Sequence, residues 1–192
     1  MPDHSKDKRQ MSVRFRLRDE TAACHQRVDD LFSEMDLGQL ATYRLFLASQ
    51  AAAFIPVEKA IIDGGIGQSV PQLVDHKRGP LILDDLADLR TDVPDPLLPP
   101  AMKSEAALLG AAYVLEGSRL GGAILRKAVP AEFPSRFLSA PTTLRWSAFA
   151  DILERRLVTE EQVNAAAASA RDVFEMFERA AILSLQKHGA SG

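Results

Sequence analysis

The sequence has little of what builds disulfide-linked, β-rich or strongly charged proteins. Its one cysteine, Cys24, excludes a disulfide within the chain and fits a reducing compartment. Aromatic residues make up only 6% of the 192 residues, and no sustained period-two alternation predicts a strand. The formal net charge of -3 argues against bulk electrostatic binding to nucleic acid or to an anionic membrane. An all-α, cytoplasmic protein is therefore the prediction.

Neither the most apolar run nor the N-terminus is predicted to be a membrane-spanning or targeting segment. Residues 106–125 carry Glu116 and Arg119 together with glycines, so we predict no membrane span there. Residues 1–10 are polar and lack the apolar centre of a secretory signal. We expect residues 1–12 to be disordered and residues 13–188 to form one domain.

Apolar spacing and punctuation predict the helices. Pro56 should kink or break the second one near Ile55. Thr159 and Gln162 have the spacing of a capping box at the start of the last one. A proline-rich stretch over residues 91–100 predicts a stiff loop, and Gly79 is expected to end a short helix. Together these signals predict helices over roughly residues 13–35, 39–62, 82–89, 102–127, 144–157 and 160–187.

His25 is the first candidate functional residue. Helical spacing places it on the predicted buried stripe of the first helix, with Leu17, Thr21, Val28 and Phe32. Arg18 and Asp29 fall near the same face. His25 is either a core histidine with satisfied hydrogen bonds or an axial ligand to a haem iron, with Asp29 holding its second ring nitrogen.

Residues 113–122 carry three glycines, Gly117, Gly121 and Gly122, inside a helical pattern. Each glycine costs about 1 kcal/mol relative to alanine in a helix interior. They indicate either close packing of small residues against another helix, a helix end at residues 121–122, or a backbone that lies against a planar ligand.

Other chemistry is weakly indicated. The Glu-x-x-His motif of carboxylate-bridged di-iron bundles is absent from the sequence. Cys24 is predicted to be a buried structural thiol, and His76 a solvent-exposed loop residue. His4 and His188, near the termini, are also expected to be exposed, as are the basic positions Arg126, Lys127, Arg155 and Arg156.

Five segments together resemble haem oxygenases, in particular the bacterial biliverdin-producing type. Residues 24–29 are similar to the proximal helix of that family and residues 113–122 to its distal helix. The other three are Arg78 with residues 85–89, residues 146–149 and residues 174–177, so that the resemblance covers roughly residues 13–185.

The resemblance implies a single-domain, all-α bundle that holds haem between the first helix and the glycine-rich helix. It assigns the iron to His25 and a supporting carboxylate to Asp29. It places Gly117, Ser118, Gly121 and Gly122 over the haem as the catalytic face, and Arg18, Arg78, Tyr113 and Lys127 among the cofactor-binding residues.

Haem would be both cofactor and substrate, opened to biliverdin with release of carbon monoxide and iron. A ferredoxin or flavoprotein reductase would supply electrons, since no flavin or cluster motif is visible, and a bacteriophytochrome could accept the product. Ser118 stands where some members have an aspartate that organises distal water. The alternatives are a haem-binding sensor or carrier on the same fold, or a helical domain that uses the fold without iron.

Overall fold

The last helix, α7 (Glu160–Gly189), is the element against which most of the bundle packs. It contacts α1 (Val13–Ser33), α2 (Leu40–Asp63) and α5 (Glu105–Leu125). Five alanines lie on its buried side, so neighbouring backbones can come close there: Ala166, Ala167, Ala170, Ala180 and Ala181. The capping box predicted at its start is confirmed, because the Gln162 amide donates to Thr159 Oγ1 at 3.2 Å and the Thr159 amide donates to Gln162 Oε1 at 3.0 Å.

The computed structural model describes residues 12–141 and 143–189, and this part of the chain contains α-helices and no β-strand. The all-α prediction is thereby confirmed. The remaining helices are α3 (Gln72–Asp75), α4 (Gly79–Asp88) and α6 (Trp146–Arg156), with 3₁₀ turns at Ile66–Gln68 and Arg126–Ala128. Residues 91–104 form the predicted irregular connection. The N-terminal segment expected to be disordered lies outside the described residues, apart from Ser12.

At Gly79 the sequence-based expectation about a helix end is wrong, and at Pro56 the break, one of the two outcomes expected there, does not occur. Gly79 does not end a helix but is the first residue of α4, because its amide and that of Arg78 are capped by Glu58 from α2. Pro56 does not break α2, which continues through it to Asp63. α2 is also long and apolar enough to cross a membrane, but it packs against α4, α5 and α7, and its apolar side chains serve the core of the bundle.

Helices α1, α5 and α7 run in the same direction. Along α1, Arg16, Glu20 and Arg27 pair in turn with Glu160, Arg171 and Glu178 of α7. Along α5, Gly110 lies against Ala166 of α7. Three residues further along α5, Tyr113 lies beside Thr21 of α1. Thr21 directly follows Glu20, the residue of α1 that pairs with Arg171 of α7. Residues that follow Thr21 in α1 and Tyr113 in α5 by the same number of positions therefore lie at the same height in the bundle.

Candidate functional site

His25 is exposed, and its predicted place on the buried stripe of α1 is wrong. Its side chain is 58% accessible, whereas Thr21, Cys24 and Val28 are buried. The stripe passes through Cys24, and the next residue is rotated by about 100° around the helix axis. The buried thiol predicted for Cys24 is confirmed. The imidazole therefore lies beside the core.

The His25 ring is held from two sides. Its Nδ1 lies 2.9 Å from Asp29 Oδ2, one turn later on α1. The carboxylate accepts the Nδ1 proton, which leaves Nε2 as the atom with a free lone pair. The edge of the ring meets Phe174 of α7, with centroids 5.4 Å apart and planes at 77°. The ring is thus oriented with one unprotonated nitrogen available as a ligand.

The glycine-rich turn of α5 lies at the level of His25. Thr21 and Tyr113 are side by side, and His25 and Gly117 each follow by four residues in helices that run the same way. Burial raises the pKa of the Tyr113 phenol, an effect that its hydrogen bond with Thr21 partly offsets. The predicted juxtaposition of the histidine and the glycines is therefore consistent with the helix register.

The glycines of α5 have different surroundings. A Cβ on Gly110 would lie 2.0 Å from the Ala166 carbonyl oxygen, so this glycine is required by helix packing. A Cβ on Gly122 would lie 3.4 Å from Leu138, and one on Gly117 would lie 3.8 Å from the Trp146 indole, which are ordinary contacts. A Cβ on Gly121 would meet nothing within 4 Å. Close packing thus explains Gly110 and leaves Gly121 unexplained.

Two large apolar side chains flank Gly121 on the exposed side of α5. Leu120 is 57% exposed and Ile124 is 69% exposed, although the preceding turns of the same helix are fully in the core. Adjacent exposed apolar residues are a mark of a binding surface. Together with Gly121 they form an apolar surface interrupted by bare backbone, which suits a flat apolar ligand.

Ser118 is turned away from this surface toward Arg78. The Ser118 hydroxyl donates to the Leu115 carbonyl oxygen at 2.7 Å and accepts from Arg78 Nη1 at 3.0 Å. The Arg78 guanidinium also donates to the Leu115 carbonyl at 3.1 Å and is buried. Burial lowers the pKa of Arg78 to about 9, which still leaves it charged at neutral pH. The sequence predicted Arg78 near the cofactor, and its guanidinium lies under the helix that carries the glycines.

Two known proteins are similar in sequence to this chain. The chain is 32% identical over 164 residues to haem oxygenase PigA of Pseudomonas aeruginosa, covering 80% of this chain and 83% of that protein. It is also 32% identical over 109 residues to a haem oxygenase of Xanthomonas campestris pv. campestris, covering 53% and 66%. The chain belongs to the haem oxygenase family.

The fold leads to the same family. The NO- and CO-bound haem oxygenase of Neisseria meningitidis superposes with a TM-score of 0.78 at 27% identity, covering 91% of this chain and 92% of that one. Comparison with protein-family models found no match. This haem oxygenase is an oxidoreductase, and the fold and family read from the sequence are confirmed.

The residues at the site fit a haem. A haem iron needs one protein ligand on the proximal side, because the porphyrin supplies four, and an exposed imidazole such as that of His25 has the chemistry of such a ligand. Within residues 12–141 and 143–189, no cluster of three or more His, Cys, Asp or Glu side chains could bind a metal ion without such a carrier. The surface around Gly121 has room for a flat ring to approach the backbone.

Two of the predicted basic residues of this haem oxygenase, Arg18 and Lys127, lie on the surface, whereas Arg78 is buried. Arg18 is 70% exposed, seven residues before His25, and its guanidinium lies 5.5 Å from the centre of the Phe15 ring. Lys127 is exposed in the 3₁₀ turn that follows α5. Both are free of buried contacts that would prevent them from meeting a carboxylate of a ligand.

Two buried carboxylates near the distal helix were missed by sequence reasoning. Glu58 caps α4, and Asp85 accepts hydrogen bonds from the backbone amides of Arg136 and Phe137 at 3.0 Å each. Neither residue belongs to a recognisable motif, so only the fold shows what it contacts. A polar surface pocket of about 250 Å³ lies elsewhere, near the start of α5, and does not include the site.

Proposed function

We propose that this haem oxygenase binds haem between α1 and the C-terminal half of α5, with His25 Nε2 as the axial ligand of the iron. The observation that carries the proposal is the pairing of an oriented, exposed imidazole with an open glycine, Gly121, at the matching end of the facing helix. Gly117, Gly121 and Gly122 would place backbone over the ring, since they have no side chains there.

Haem is here both cofactor and substrate, and it supplies the iron at which dioxygen is activated. The family's reaction opens the ring to biliverdin and releases carbon monoxide and iron. Electrons would come from a ferredoxin or flavoprotein reductase in the cytoplasm, and a bacteriophytochrome is our candidate acceptor of biliverdin.

The proximal residues would set the strength of the axial ligand. Asp29 accepts the Nδ1 proton, which assigns the lone pair of the neutral ring to Nε2 and would make that nitrogen a stronger ligand. Phe174 limits rotation of the ring. The chain would therefore present an oriented histidine whose Nε2 can hold a haem iron.

The distal residues would act mainly by shape. The Ser118 proton is used by the Leu115 carbonyl, so this hydroxyl has no proton to donate to a ligand on the other side of the helix. No acid side chain of the turn 117–122 faces the haem, because the turn consists of Gly117, Ser118, Arg119, Leu120, Gly121 and Gly122. Backbone crowding would thus direct the oxidation toward the ring edge.

The haem propionates would lie near the solvent edge. Arg18 on α1 and Lys127 after α5 are our candidates for pairing with them, because both are exposed cations close to the ends of the proposed slot. Tyr113 would close the inner end of the slot, where it contacts Thr21 and the Trp146 indole.

Titration of the apoprotein with haem, followed by addition of reductant in air, tests the proposal. We expect a sharp Soret band on binding and a green tetrapyrrole product on turnover, identified by chromatography. His25→Ala should lose the axial-ligand spectrum, and added imidazole should restore it. Haem that binds but survives reductant unchanged would contradict the activity, and an unaltered spectrum in His25→Ala would contradict the assigned ligand.

A further inference from the structure

The N-terminus of α4 is fixed by a buried carboxylate from α2. Glu58 Oε1 accepts the Arg78 amide at 2.6 Å, and Oε2 accepts the Gly79 amide at 2.8 Å. The carboxylate is so close that a Cβ on Gly79 would lie 2.6 Å from Oε2. Glu58 therefore fixes the backbone from which the Arg78 side chain departs.

The Arg78 side chain then extends to α5 along two aromatic rings, Phe54 and Phe137, which contact each other edge to face with centroids 5.2 Å apart. Its guanidinium carbon lies 4.8 Å from the centre of the Phe54 ring and 4.4 Å from that of Phe137. The Nη1 atom of the same guanidinium donates hydrogen bonds to the Leu115 carbonyl oxygen and to the Ser118 hydroxyl. A buried planar cation packed against two rings has little freedom, so the position of its hydrogen bonds on α5 is defined.

Both rings rest on well-anchored backbone. Phe54 is in the middle of α2 and is buried. Phe137 lies in the connection before α6, where its amide donates to the fully buried Asp85 of α4. The path from Glu58 through Arg78 to Ser118 thus ties α5 to two other helices at one point.

Arg78 contacts α5 at the point where this helix leaves the core. Residues 106–116 of α5 are buried, whereas Gly117, Ser118 and Arg119 are partly exposed and Leu120 and Gly121 are exposed. The glycine-rich turn is therefore less tightly packed than residues 106–116, and only Gly122 at its end is buried again, beside Leu138. The Arg78 contacts act at the last buried turn before it.

We propose that Glu58 and Arg78 are positioning residues that hold the glycine-rich turn of α5 in place through Leu115 and Ser118. They touch neither haem nor oxygen in this scheme. The consequence for the haem complex rests on the proposed function, but the effect on α5 itself does not.

Hydrogen exchange of the apoprotein tests the effect on α5. Arg78→Met keeps an apolar chain packed against the two rings but removes the hydrogen bonds, and should speed exchange of the amides of residues 117–122 about tenfold or more. Glu58→Gln replaces an acceptor by a donor at the cap and should have the same effect in the same segment. Ser104→Ala is the control, because it removes the N-cap of the same helix at its other end.

The control should speed exchange only near residues 105–108. Unchanged exchange of residues 117–122 in both Arg78→Met and Glu58→Gln would overturn the proposal, as would an equal effect of Ser104→Ala on that segment. If one of the two variants fails to fold, the other decides.

The ferric haem complex gives a second measurement. A looser distal turn should shift the midpoint of the acid–alkaline spectral transition in Arg78→Met and Glu58→Gln, with the midpoint of Ser104→Ala equal to that of the unsubstituted protein. Equal midpoints in all of them would contradict the role toward haem. Failure of the unsubstituted protein to bind haem would refute the proposed function alone, since the exchange result does not depend on haem.

Discussion

Replacing Gly121 with alanine should make the apoprotein more stable and the enzyme less active. Alanine is favoured over glycine in a helix interior by about 1 kcal/mol. The new methyl group would contact nothing within 4 Å, so no strain offsets that gain. For a chain of this length, about 1 kcal/mol corresponds to a rise in Tm of about 2–4 °C. Thermal unfolding of the apoprotein, followed by circular dichroism, measures it.

The same methyl group should disturb the haem complex. It would occupy the space through which we expect the ring to approach the backbone of α5. A displacement of about 1 Å at a reacting centre lowers rates on the order of a hundredfold. We therefore expect reductant-driven formation of the tetrapyrrole to fall by about that factor in Gly121→Ala, measured as initial rates with saturating haem.

Gly110→Ala is the matched control on the same helix. Its methyl group would lie 2.0 Å from the Ala166 carbonyl oxygen, so the helices must separate and the apoprotein should lose about 1–3 kcal/mol. The two substitutions should thus have opposite effects on Tm. Wild-type turnover in Gly121→Ala would refute the reasoning, because it would show that no ligand lies against that part of the backbone.

Three further outcomes follow from side-chain contacts. Asp29→Asn should weaken haem binding about 10- to 100-fold in a spectroscopic titration, because the Nδ1 proton of His25 loses its carboxylate acceptor; unchanged affinity would contradict this. Burial raises the pKa of Glu58 in the folded protein, so the folded state holds a proton on this carboxyl group more tightly than the unfolded state does. The free energy of unfolding should therefore fall as the pH rises above the ordinary glutamate range. Denaturant titrations across that range should show a flatter profile in Glu58→Gln. Thr159→Ala should lower stability by about 1 kcal/mol without changing haem affinity, since it removes only the cap of α7.

Local sequence signals predicted the elements that depend on local contacts. The capping box of Thr159 and Gln162 is such a signal, and both of its hydrogen bonds are present. The prediction that Gly79 ends a helix was wrong because the role of this residue depends on Glu58, which lies 21 residues earlier in the chain. His25 misled because two neighbouring stripes on α1 fit the apolar spacing, and only the packed bundle shows that Cys24 is on the buried one.

The site residues were predicted chiefly through the family resemblance, and the glycines show why. Gly110, Gly121 and Gly122 have the same cost in a helix and cannot be told apart by spacing. The structure separates them by what lies opposite: the backbone of α7 at Gly110, Leu138 at Gly122, and open space at Gly121. A glycine whose cost is offset by no contact within the chain points to a contact with something that binds. Gly121 is therefore the strongest indication, among the glycines of α5, of where a ligand meets this helix.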